Sequence, residues 1–346
     1  MTGGSPETTL MAAEIGETPD ALARFFEREG ATLATLGPRL RALAPPVVVT
    51  CARGSSDNAA AFFKYLTEIL TGTPVASVGP SVASIYGASL RLAGSAMVSV
   101  SQSGRSPDIV SLQAAARSSG ALAIAVVNDA ASPLAEEADI VLPLHAGVER
   151  SVAATKTFLV SAVVLAAIVA EWRDDDALRA ALRDLPADIE AALRADWSPA
   201  LPLLRDAQSA YVVGRGPALP IAFEAALKLK ETAVLHAEAF SAAEVMHGPL
   251  QLVDAGFPVL AFRPRDAAHA SMGGALERLG GASGRLMVAE DGPPAPGRLP
   301  ARATHHPLLD PLPMLTSFYL LAEAVARARG HDPDRPSRLR KVTETT

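Results

Sequence analysis

Short apolar runs, each followed by a small-residue turn and then a helical stretch, recur along this chain. That alternation restricts it to a parallel α/β architecture, because parallel strands need crossovers and the crossovers are helices. Val47 to Thr50 runs into ARGSSDN and the helix AAAFFKYLTEIL, and Ala96 to Val100 runs into SQSGRSPD and the helix IVSLQAAARSS. Leu122 to Val127 and Ile140 to Leu144 supply a third and a fourth run. The opening pattern then returns. Ala210 to Val213, the turn GRGPALP and the helix IAFEAALKLKE place Arg215-Gly216 162 residues after Arg53-Gly54 in the same context, which predicts a duplicated module. Val259 to Phe262 and Leu286 to Ala289 are further strands of the second copy, and MLTSFYLLAEAVARARG is its last long helix.

The 346 residues suffice for two domains of ordinary size. Residues 13 to 43 carry two helical patterns (Ala21, Phe25 and Phe26, then Leu33, Leu36, Leu40 and Leu43), ended by Pro45 and Pro46. Trp172 to Pro199 is acidic and helical, a break in composition that links two halves. The expected organisation is a helical leader at 1–30, a first α/β module at 31–172, a linker at 173–199 and a second module at 200–332. A tail at 333–346, with two prolines and no apolar period, is expected to lie over the surface.

Composition narrows the function classes. Hydrophobic residues at 49% and charged residues at 20% describe a globular chain, and a formal charge of -6 argues against nucleic acid as the main partner. Cys51 is the single cysteine, so no intrachain disulfide forms, and it is read as a buried core thiol. Thr157 to Ala170, the most apolar run, falls short of the roughly 20 residues that cross a bilayer, so a buried helix and no membrane are expected. The N-terminus lacks the cationic start and apolar core of a secretory signal, and the expected location is the cytoplasm.

Two strand-end turns are rich in side-chain donors: Ser55 and Ser56 in one, Ser101, Gln102, Ser103 and Ser106 in the other. In an open parallel sheet, ligands sit at the carboxyl ends of strands, where free N–H groups and helix dipoles favour an anion such as a phosphate. Ser106 followed by Pro107 also reads as an N-cap and first helical residue, but capping employs one serine, not the set. Further on, Glu224, Lys228 and Glu231 stand at i, i+4 and i+7 and share one helical face. A carboxylate beside an ammonium is equipment for moving a proton next to a carbonyl. The same spacing equally suits an exposed Glu/Lys ladder without chemistry.

Other chemistries lack their motifs. GRGPAL misses the third glycine of a dinucleotide fingerprint, and no GK[ST] follows a glycine loop. HExxH, CxxC and GxSxG do not occur, and His305-His306 has no partners at ligand spacing. No cofactor and no metal are therefore expected.

In matching order, SQSGRSPD, SVAATKTF, GRG, EAALKLKE, HAEAFSAAEVMHGPL and DRPSRLRKVT resemble the isomerase half of glutamine:fructose-6-phosphate amidotransferase, the tandem sugar-isomerase (SIS) fold. The resemblance spans nearly the whole chain and implies two SIS domains, each a flavodoxin-like parallel sheet with helices on both faces. It implies that Ser55, Ser56, Ser101, Gln102, Ser103 and Ser106 cradle the sugar phosphate and that the Val152 backbone faces the sugar. Glu231 is similar to the glutamate that shuttles a proton between C1 and C2, Lys228 to the lysine that supports the developing enolate oxygen, and Glu224 to its structural or polarising partner. His247 resembles the ring-opening histidine, which in the family arrives from the neighbouring subunit, so a homodimer is implied. Lys341 matches the tail lysine that forms a Schiff base with the ketose carbonyl. His236 and Glu238 are expected in a loop that shapes the site.

Three positions depart from the family pattern: Ala154 stands where the synthase carries a serine near the sugar, Asp57 replaces an aromatic residue, and Arg105 replaces an acid. The sequence begins Met1-Thr2 and carries no glutaminase cysteine, so glutamine is not the expected direct ammonia source. The function implied is a glucosamine-6-phosphate deaminase giving fructose 6-phosphate and ammonia. Alternatives are an ammonia-dependent or split-subunit synthase, a deglycase of the fructoselysine-6-phosphate type, and a non-catalytic phosphosugar sensor.

Overall fold

The computed structural model describes residues 8–341, which divide into two compact units. One unit is built from residues 20–147 and 157–186. Its sheet holds β1 (Val48–Cys51), β2 (Val75–Ser77), β3 (Ala96–Ser101), β4 (Leu122–Val127) and β5 (Ile140–Pro143) in the order β2-β1-β3-β4-β5. Every pairing is parallel, with Val48 opposite both Val75 and Ala96 and Ala96 opposite Leu122. β3 and β4 are buried along their whole length, which is why they read as unbroken apolar runs. The order reverses direction between β1 and β3, the flavodoxin-like arrangement whose switch point collects ligands.

The other unit comprises residues 8–19, 148–156 and 187–341. β6 (Ser209–Gly214), β7 (His236–Ser241), β8 (Val259–Phe262), β9 (Leu286–Glu290) and β10 (Arg298–Pro300) line up as β10-β9-β8-β6-β7, again wholly parallel. Taken from β7, this is the order of the first sheet, so the duplication expected from the recurring turn is present in the topology. β7 corrects one expectation. His236 and Glu238 are strand residues, both exposed and alternating with buried Ala237 and Ala239 along a sheet edge. Alanine and glutamate are poor strand formers, so HAEAFS resembled a loop. β2 and β10, at three residues each, are too short to show a period.

The expected buried helix runs Lys156–Arg173, with Phe158 through Ala170 at 4% exposure or less. Among the described residues one helical stretch, Pro307–Ala328, has the length and apolarity to cross a membrane, and 83% of its apolar window is buried within the protein. Cys51 lies in the core beside Val49, Met97 and Val127, and burial, reinforced by Asp108, pushes its thiol up to about 12. It is an inert packing residue.

Candidate active site

The helix Ala218–Ala233 carries the ionisable face. It starts close under β6 because Gly214 has no side chain: a Cβ there would stand 2.3 Å from the Ala218 carbonyl oxygen. Its polar face points inward. Glu224 and Lys228 are fully buried, and Glu231 retains 22% of its side-chain surface. Lys228 Nζ lies 3.4 Å from Glu224 Oε1 and donates to Glu231 Oε2. On the far side, Tyr319 of the helix Pro311–Ala328 donates its phenol to Glu224 Oε1 at 3.1 Å. The result is a chain of four groups, Tyr319, Glu224, Lys228 and Glu231, of which only the last reaches the surface. An exposed Glu/Lys ladder, the other reading of this spacing, is excluded by that burial.

Electrostatics sets the charge of two of these groups, Lys228 and Tyr319. Burial alone drives the Lys228 ammonium toward neutrality, but Glu224 and Glu231 more than offset it, and its pKa is raised. Burial, followed by the Glu224 charge, holds the Tyr319 hydroxyl well above its ordinary value, so it stays protonated and can donate to Glu224. One ammonium thus sits between two carboxylates, and the accessible one is placed to exchange a proton.

In the same unit, segment 148–156 and the tail converge. Glu149 has a fully buried side chain; its Oε1 accepts from Thr155 N at 3.0 Å and its Oε2 from Lys341 Nζ at 3.2 Å. Lys341 also donates to the Ser151 carbonyl at 2.8 Å, and Val152 N donates to the Asp334 carbonyl at 3.1 Å. The tail lysine and Val152 are therefore brought together; Ala154, half-buried close by, offers no side-chain donor. Residues 342–346 of the tail lie outside the described residues. His247 ends a short 3-10 turn, Glu244–His247, and is exposed.

The hydroxyl-rich turns belong to the other unit. Ser55 and Ser56 open the helix Ser55–Thr71, directly after Gly54 at φ 56°. Ser101 Oγ accepts from Gly104 N at 3.1 Å and Ser103 Oγ from Arg105 N at 3.4 Å, bonds that curl the second turn. Gly104 sits at φ 63°, where other residues are strained. Gln102 is half-buried in the same turn. Ser106 is the N-cap of the helix Pro107–Ser118, as expected, yet its hydroxyl makes no capping bond. Arg53 donates from Nε to Asp108 Oδ2 at 2.8 Å, and with Asp108 buried this pair ties the end of β1 to the helix after the second turn. Arg105 is engaged by Asp129 at 2.8 Å, and Asp57 is exposed on the first turn of its helix.

Sequence reasoning missed Tyr319, Glu149, Asp108 and Arg53. The only signals were a hydroxyl-tipped aromatic in an otherwise apolar helix and a lone acid two residues before SVAATK. Among the described residues no three His, Cys, Asp or Glu side chains converge as a metal site would require.

The family model described as SIS domain matches residues 46–170 and 203–277. A glutamine–fructose-6-phosphate aminotransferase [isomerizing] from Pyrobaculum aerophilum is 34% identical over 98% of this chain; the chain spans 58% of that relative's length. A crystal structure from Silicibacter pomeroyi DSS-3, described as a candidate phosphosugar isomerase, superposes with a TM-score of 0.89 at 45% identity, covering 94% of this chain and 100% of the other. The C-terminal domain of glucosamine-fructose-6-phosphate aminotransferase from Francisella tularensis gives a TM-score of 0.83 at 27% identity, covering 97% and 100%.

Proposed function

Because this chain belongs to the SIS domain family, we propose that it is a phosphosugar isomerase working on an amino sugar, converting glucosamine 6-phosphate and water into fructose 6-phosphate and ammonia. The observation that carries this reading is the buried chain from Tyr319 to Glu231, a preset proton carrier with a single open end. His247 protonates the ring oxygen and opens the sugar. Glu231 takes the C2 proton and returns it to C1, while the Lys228 ammonium supports the oxygen that gains charge between the two transfers. The ketimine left at C2 adds water and expels ammonia, directly or after exchange onto Lys341 Nζ. Ammonia released from glucosamine 6-phosphate by the purified protein, with fructose 6-phosphate formed in equal amount, is the test; no ammonia from this substrate ends the deaminase reading.

The serine turns are assigned the phosphate group. Ser106 gives the sharpest check, since its hydroxyl is not occupied in capping. Ser106→Ala is expected to raise KM for the phosphosugar about tenfold, the scale of one hydrogen bond to a charged group. An ordinary N-cap loss would instead lower stability by about 1 kcal/mol. Steady-state kinetics beside a thermal melt decides between them, and an unchanged KM with a lowered melting point returns Ser106 to a purely structural role.

The working form is taken to be a cytoplasmic homodimer in which His247 serves the site of the partner subunit, a reading its exposure supports. A fully active monomer in light scattering would overturn it. The name of the Pyrobaculum relative favours a second reading, the reverse amination of fructose 6-phosphate. Supplying ammonium and fructose 6-phosphate to the same preparation measures that direction.

A further inference from the structure

The N-terminal helix Leu10–Gly16 has nothing to do in the reaction as described, yet it is fastened to both segments that carry Lys341 and Val152. Its first free N–H groups are met by the tail: Leu10 N and Met11 N each donate to an oxygen of the Asp334 carboxylate at 2.8 Å, while Thr9 Oγ1 takes Ala12 N at 3.1 Å. The Asp334 carbonyl in turn accepts from Val152 N. One turn further on, the buried Glu14 carboxylate receives Arg150 N, Ser151 N and Ser151 Oγ. Beyond the helix, Glu17 Oε2 accepts from the fully buried Lys156 Nζ at 2.6 Å. Three stretches far apart in sequence, 9–17, 148–156 and 332–341, are thereby locked together by backbone and carboxylate bonds.

We propose that this helix is a clamp that positions the tail lysine, with Asp334 and Glu14 as its positioning residues. Glu14 holds Ser151, and the Ser151 carbonyl is one of the two acceptors that orient Lys341 Nζ. Asp334 holds the tail at its helix end and against Val152 at the same time. Without these anchors the chain between Asp334 and Lys341 is a loop with two prolines nearby and no strand or helix of its own. Lysine side chains carry much rotamer freedom, and an amine that must meet a carbonyl gains from being held. The role of Lys341 in chemistry rests on the function proposed above; the clamp itself does not.

The test therefore reads the lysine in two ways. In the full-length protein, acetylation of Lys341 by an amine-reactive ester is followed by mass spectrometry, with the more exposed Lys64 as internal reference. Asp334→Ala and Glu14→Gln are expected to speed Lys341 labelling relative to Lys64 about fivefold, the factor that corresponds to losing one helix cap. Asp334→Asn, which keeps an acceptor, restores part of the protection. In parallel, kcat for ammonia release falls in Asp334→Ala while KM stays within about twofold. Labelling unchanged in both variants overturns the clamp, as does loss of fold in both, which reduces these bonds to general stability. Labelling that rises as expected in a protein with no turnover of any phosphosugar keeps the clamp and removes the function.

Discussion

If the proposed deaminase reaction is right, Glu231→Gln is expected to lower ammonia release from glucosamine 6-phosphate by about 10²- to 10⁴-fold, the contribution of a positioned general base. The amide has the shape of the acid but cannot accept a proton from C2 at any useful rate. Binding should survive, because no part of the phosphate assignment rests on this residue, so the loss falls on kcat and not on KM. Folding should survive as well: Glu231 is the one carboxylate of the cluster that reaches solvent, and Lys228 keeps Glu224 at 3.4 Å. The measurement is a coupled ammonia assay beside hydrogen–deuterium exchange at C2 of the substrate. A variant that retains activity within about threefold, or that still exchanges C2 at the wild-type rate, would show that another group moves the proton.

What the sequence discloses here follows from how local each determinant is. β3, β4 and β8 lie between layers of helix and are buried on both faces, so each is a continuous apolar run and legible in a short window. β7 is an edge strand with one face in water, and Ala and Glu alternate where β-branched residues would announce a strand. The spacing of Glu224, Lys228 and Glu231 is likewise local, since 3.6 residues per turn place them on one face whatever surrounds the helix. Whether that face is solvated is not local. It depends on Tyr319, 95 residues away, and no pattern within the helix reports it. The same holds for Lys341 with Glu149, separated by 192 residues, and for Glu14 with Ser151, separated by 137. The helical leader accordingly showed no long-range role, whereas Glu14 in its first helix and Glu17 just beyond it are bonded to segments more than a hundred residues downstream.

Lys228→Met is expected to destabilise the protein by about 3–5 kcal/mol near neutral pH, the cost of breaking a buried ion pair by removing one partner. Methionine fills most of the lysine's volume, so packing changes little and the electrostatic consequence dominates. Two carboxylates lose their shared cation, and they do not lose it equally. Glu231 turns to water with the surface it already exposes, but Glu224 has no exposed surface and loses the cation beside it while keeping the Tyr319 hydroxyl as a donor. The pH dependence separates this account from a packing defect. In the wild type the Lys228 pKa is raised in the folded state, so its contribution is fully present below the unfolded lysine value of about 10.4 and is lost as pH rises through the folded value. Urea titrations should therefore show wild-type stability falling in strong alkali, with no such step in Lys228→Met. Toward acid the order reverses, because a buried carboxylate stripped of its cation takes up a proton readily and the variant's deficit shrinks as pH falls. A deficit that is constant from acid to alkali would assign the effect to packing, and a variant within about 1 kcal/mol of wild type at pH 8 would mean that the ammonium is not what holds Glu224 in the core.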